Sequence, residues 1–123
     1  MSKHILDVGN CGPDFTSIKR FLTQTFDCTI EQTHGLEDTL AALRGAKFDL
    51  VLINRKLDRD YSDGIEILRK IKEDSELKDT PVMLITNFPE HQDAAVELGA
   101  ERGFGKLELG KPETREKLEP ILG

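Results

Sequence analysis

Two runs, Leu50-Val51-Leu52-Ile53 and Val82-Met83-Leu84-Ile85, are apolar at every position, and each sits between segments of helical pattern. A strand with one face in water alternates apolar and polar residues; a strand without alternation is covered on both faces, as in a parallel sheet. Crossovers between parallel strands need a helix, and the rest of the chain supplies that alternation.

Strands are expected at His4 to Val8, Cys28 to Thr33, Leu50 to Asn54, Pro81 to Thr86 and Ala100 to Phe104. Between them Phe15, Ile18, Phe21, Leu22 and Phe26 recur at helical spacing behind the start signal Gly12-Pro13-Asp14. Leu36, Leu40 and Leu43 do the same before Gly45. Asp63-Gly64-Ile65-Glu66 resembles a capping box, followed on one face by Ile65, Leu68, Ile71 and Leu77. Pro89 opens a fourth helix that runs through Leu98 and stops at Gly99; Pro112 opens a fifth carrying Leu118, Ile121 and Leu122. The pattern predicts an α/β fold with a five-stranded parallel sheet, doubly wound by helices on both faces, and one domain over residues 1–123.

Charge narrows the function. Acidic residues outnumber basic ones 23 to 17, a formal charge of −6, and no basic block exists to neutralise a phosphate backbone, so nucleic acid is not an expected partner. No stretch of about 18 apolar residues exists to span a membrane, and the chain reads as a soluble cytoplasmic one. Cys11 and Cys28 fall near opposite ends of the sheet, beyond the roughly 7 Å reach of a disulfide, and are expected as free thiols. His4, His34 and His91 have no metal-ligand spacing, and Gly9-Asn10-Cys11-Gly12 matches neither nucleotide fingerprint. No cofactor and no metal are expected.

In a doubly wound sheet the site lies beyond the carboxyl ends of the strands, here Gly9 to Gly12, Asn54 to Asp60, Thr86 to Phe88 and Gly105 to Leu107. At these positions the chain resembles the receiver domain of bacterial two-component response regulators. The likeness rests on Lys3 to Val8, Phe48 to Ile53, Asp63 to Lys72, Thr80 to Thr86, and Leu98-Gly99-Ala100 followed six residues later by Lys106. It implies the flavodoxin-like strand order 2-1-3-4-5. It also implies a site where an aspartate accepts a phosphoryl group beside a magnesium ion held by acids, with a lysine, a hydroxyl and a switch aromatic around it.

Lys106 and Thr86 match the lysine and the hydroxyl. The other positions depart: Gly9-Asn10 stands for the acid pair, Asn54 for the phosphoacceptor, Gly103 for the switch aromatic and Leu107 for the proline after the lysine. An amide nitrogen is no nucleophile at neutral pH, and magnesium asks for carboxylate oxygens that these positions lack. Lys106 and Lys56 leave the pocket net positive, which repels a divalent cation. Asn54 is expected to bond Lys106 or a backbone group. Asp7, an acid inside an apolar strand, is read either as a counter-charge for Lys106 or as an acid bonded to a local hydroxyl or water. Asp58, Asp60 and Asp63 read as solvated loop acids, with Asp63 at a helix cap; Phe104 reads as core.

The chain is thus expected to be a degenerate receiver domain and not an enzyme. Its partner would be another signalling protein, a histidine kinase or an output protein. The surface is expected on the fourth helix, fifth strand and fifth helix, Pro89 to Leu98, Arg102 to Phe104 and Pro112 to Leu122, with the chain a monomer or weak homodimer. Two other readings stay open: a phosphorelay receiver that uses an unusual acid, and a sensor of a small anion held by Lys106, Lys56 and the amides near Cys11 to Pro13.

Overall fold

The structure is a computed structural model that describes residues 2–123. It alternates β1 (Lys3–Val8), α1 (Gly12–Thr25), β2 (Cys28–Thr33), α2 (Leu36–Gly45), β3 (Leu50–Asn54), α3 (Ile65–Glu73), β4 (Val82–Ile85), α4 (Pro89–Glu97), β5 (Glu101–Phe104) and α5 (Pro112–Leu122). All strand pairs are parallel, in the order β2-β1-β3-β4-β5. This is the flavodoxin-like order the sequence implied.

Pleating divides the apolar runs between two cores. Ile5, Leu50, Leu52, Met83, Ile85 and Phe104 point to one face and pack against Ile18 and Leu22 of α1 and Leu118 and Leu122 of α5. Leu6, Val8, Val51, Ile53, Val82 and Leu84 point to the other and meet Leu43, Ile67, Leu68, Ile71 and Ala95 of α2, α3 and α4. Each such side chain, fully buried, stabilises the fold by about 1.5–3 kcal/mol, which is why β3 and β4 tolerate no polar residue along their centres. Phe104 is core, as its offset from position 103 required.

Several local expectations shift. Asp63 caps α3 through its Oδ1, which accepts the Ile65 N–H at 3.0 Å, but Glu66 pairs with Arg69 and does not reach back to close a capping box. Leu77 lies past the end of α3 and still enters the core from the following turn, whereas Leu36 is exposed. Gly99 ends α4 in the left-handed region, φ +106°, as a stop residue should. Both cysteines are free.

The pairing of β4 with β5 slips by one residue between Met83↔Glu101 and Ile85↔Phe104. Gly103 sits in this bulge, where a Cβ would come within 2.2 Å of the Leu84 carbonyl oxygen. No side chain fits there without parting the two strands.

Candidate functional site

The carboxyl ends of β1, β3, β4 and β5 bring Gly9, Asn10, Asn54, Thr86 and Lys106 to one edge of the sheet. Asn54 bonds backbone and not Lys106: its Nδ2 donates to the carbonyl of Lys56 at 2.6 Å and to that of Gly9 at 3.3 Å. The amide thereby stitches the turn after β1 to the loop after β3.

That loop is itself held closely. Leu57 N–H donates to Ser62 O, Tyr61 N–H donates to Leu57 O, and Lys56 pairs antiparallel with Asp63. The tight return places Tyr61 at φ +59°, an uncommon angle for an aromatic residue, and turns Leu57 inward until it is buried. Leu57 lands against Gly9. A Cβ at Gly9 would lie 2.4 Å from Leu57 Cδ2 and 3.2 Å from Leu57 Cα, and Gly9 itself adopts φ +77°. The volume that a side chain at position 9 would fill belongs to Leu57.

Asn10 turns into the protein. Its side chain is fully buried, and Nδ2 donates to Asp7 Oδ1 at 2.5 Å, while its backbone carbonyl accepts Gln32 Nε2 at 2.7 Å. Asp7 is also fully buried, and burial pushes its carboxyl up to about 7 against the lowering effects of the Asn10 bond and the Lys106 charge. The side chain that bonds Asp7 is the Asn10 amide and no hydroxyl. The Lys106 charge still reaches Asp7, although the acid paired directly with Lys106 is another residue.

That residue is Asp14, in the first turn of α1. Lys106 Nζ donates to Asp14 Oδ2 at 2.7 Å, and this bond is the main cause that holds the Asp14 carboxyl below the usual range. Cys11 Sγ also donates to the same oxygen. The pocket is therefore less positive than Lys106 and Lys56 alone suggest, and the amino end of α1 has an anion of its own. Lys56 is exposed, its Nζ 5.9 Å from the centre of the Tyr61 ring.

Thr86 is buried, and its Oγ1 accepts the Phe88 N–H at 3.3 Å, a local cap at the strand end. Asp58, expected in solvent, is half-buried against His34, whose Nδ1 lies 3.3 Å from both carboxylate oxygens. Asp60 stays in the loop and accepts from Ser62. Among the described residues no group of three or more His, Cys, Asp or Glu is arranged to hold a metal ion.

Gln92 is a site residue that no motif in the sequence marks. It lies buried on α4, donates through Nε2 to the carbonyls of Leu84 (3.0 Å) and Thr86 (3.3 Å), and accepts the Gly103 N–H at 2.9 Å through Oε1. One side chain thus satisfies three backbone groups at the β4–β5 bulge and ties α4 to both strands. A polar residue three positions after Pro89 offers no signal of this in sequence, because helix periodicity alone does not mark it as inward.

Known structures share this architecture at low identity. The signal receiver domain of the DNA-binding response regulator protein merR from Colwellia psychrerythraea 34H matches with a TM-score of 0.82 and 22% identity, over 98% of each chain. A putative response regulator from Chloroflexus aurantiacus J-10-fl matches with a TM-score of 0.85 and 15% identity, again over 98% of each chain. The chemotaxis response regulator CheY4 of Vibrio cholerae gives 0.72 and 20%, over 98% of this chain and 95% of that one. No curated protein sequence matches. The fold is that of receiver domains. The sequence profile of the response regulator receiver domain matches residues 14–121, and the chain belongs to that family. It is a receiver domain of signal transduction.

Proposed function

We propose that this receiver domain acts by binding another signalling protein, without taking up a phosphoryl group. The observation that carries this reading is the occupation of the space beside Gly9 by Leu57. An acid at that position would have to displace a buried leucine, so the loss at the first strand and the conformation of the loop after β3 are one feature.

The magnesium ion that the family pattern implies does not fit the residues present. A hard cation asks for carboxylate oxygens. Gly9 has no side chain, Asn10 faces inward, the Asn54 amide nitrogen is spent on two carbonyls, and the Asp14 carboxylate is neutralised by Lys106. Asn54 offers no nucleophile, and the loop acids Asp58 and Asp63 are engaged with His34 and with the cap of α3.

The partner surface is α4, β5 and α5. Phe88, Val96 and Leu107 are exposed apolar residues on α4 or in the connections beside it, and the Gln92 bonds hold this region in one arrangement. No helix among the described residues is long and apolar enough to cross a membrane. As part of the same proposal, the domain would work in the cytoplasm as a monomer or weak homodimer. The test is Asn54→Asp. This single change should leave the protein without saturable magnesium binding at millimolar ion and without phosphorylation by a small-molecule donor. Tight binding of the ion by that variant would overturn the reading.

One observation favours a second reading, a sensor of small anions. Arg55 Nε is buried without a partner beside an open cleft of about 230 Å³ lined by Asn54, Lys56, Thr86, Asn87 and Lys106. A rise of melting temperature with phosphate or sulfate concentration, absent in Arg55→Gln, would support it; a flat response would dismiss it.

A further inference from the structure

The buried pair of Asp7 and Asn10 holds more acceptors than donors. Asn10 Nδ2 serves Asp7 Oδ1, which leaves Asp7 Oδ2 and Asn10 Oδ1 enclosed without a partner. Two buried orphan acceptors on adjacent side chains are costly, because each loses its hydration and gains nothing. Turning the Asn10 amide over does not help, since it sets oxygen against oxygen at 2.5 Å. A single proton on the Asp7 carboxyl resolves the deficit: the acid O–H can donate to the amide oxygen while the amide N–H donates to the acid carbonyl, and both orphan oxygens gain a partner.

We propose that Asp7 and Asn10 form such a neutral acid–amide pair, and that it is a proton-operated latch that sets how the turn after β1 holds the start of α1. The surroundings give the latch its lever. Asp7 lies on the sheet face that α1 covers, with Gln32 of β2 and Leu52 of β3 opposite it, neither of them charged. The charges that reach it are Lys106 from the turn after β5, Asp14 from α1 and Asp58 from the loop after β3, the last in contact with the His34 ring from the loop after β2.

When Asp7 loses its proton to solvent, the Asn10 oxygen loses its donor. A new negative charge then competes with Asp14 for Lys106 and repels Asp14 directly. The Gln32 bond to the Asn10 carbonyl anchors the backbone, so the change must be taken up by the Asn10 side chain and the Asp14–Lys106 pair. Burial raises the Asp7 carboxyl to about 7, the direction that keeps the proton on the pair.

The experiment is a carboxyl-carbon NMR titration of the Asp-labelled protein from pH 4 to 9, with backbone amide shifts followed in parallel. The Asp7 resonance, assigned by its loss in Asp7→Asn, should titrate near pH 7. The amides of Asn10, Asp14 and Lys106 should follow the same midpoint. Asp7→Asn forms an amide–amide pair of the same shape, so it should fold and abolish this shared transition. An Asp7 carboxyl ionised throughout pH 5–8, as a buried water bridging the pair would produce, overturns the proposal. So does a titrating Asp7 whose midpoint the Asp14 and Lys106 amides ignore.

Discussion

Gly9→Asp would restore a carboxylate where the family carries one, and the structure sets its cost. The backbone at position 9 is left-handed, φ +77°, which costs a non-glycine residue about 1 kcal/mol, aspartate being among the more tolerant. The new Cβ would sit 2.4 Å from Leu57 Cδ2, and overpacking a buried site adds about 1–3 kcal/mol. The sum is about 2–4 kcal/mol. With an unfolding entropy of about 2.1 cal/mol/K per residue over the 123 residues, that lowers the melting temperature by about 8–15 °C. The assay is urea and thermal unfolding of Gly9→Asp, Leu57→Ala and the double variant. Because the clash exists only when both side chains are present, the double variant should be more stable than the sum of the singles by about 1 kcal/mol or more. Strict additivity, or a Gly9→Asp variant within about 0.5 kcal/mol of the parent, would refute the claim that Leu57 occupies the place of the missing acid.

Gln92→Ala leaves the Gly103 N–H and two carbonyls without their partner, and should destabilise by about 2–4 kcal/mol with faster hydrogen exchange at Gly103. Asp14→Asn removes the pair with Lys106, which is about a third exposed on each side, so the loss should be only about 0.5–1 kcal/mol. Since the folded state lowers the Asp14 carboxyl, that contribution is present above about pH 4 and disappears as pH falls further; equal effects at pH 3 and pH 7 would contradict it. Asp7 runs in the opposite direction: its raised carboxyl favours the folded state at low pH and loses that advantage as pH climbs from about 4 to about 7. By pH 8 this is on the order of 4 kcal/mol, so Asp7→Asn should be more stable than the parent at pH 8 and lose the advantage at pH 4.

A parallel sheet covered on both faces was legible because Leu50 to Ile53 and Val82 to Ile85 carry no polar alternation, and the site followed from where such strands end; the order of the strands came from the resemblance to receiver domains. The positions of Gly9, Asn10, Asn54, Thr86 and Lys106 could be read for the same reason. What those side chains bond could not. Lys106 finds Asp14 across 92 residues of sequence, a pairing decided by how the start of α1 faces the turn after β5. Leu57 reads as an ordinary loop leucine until the return of the chain at Tyr61 turns it onto Gly9. Asn10 carries the residue type of a degraded acid, and only its burial shows that it serves Asp7.

The central claim, a receiver domain that signals without phosphoryl transfer, is tested most directly by the intact mass of the unaltered protein after incubation with magnesium and a millimolar acyl phosphate. The mass should not change, because Asn54 offers no nucleophile and the family's metal positions, Gly9 and Asn10, supply no carboxylate for the ion. A single added phosphoryl group, on whichever acid, would contradict it.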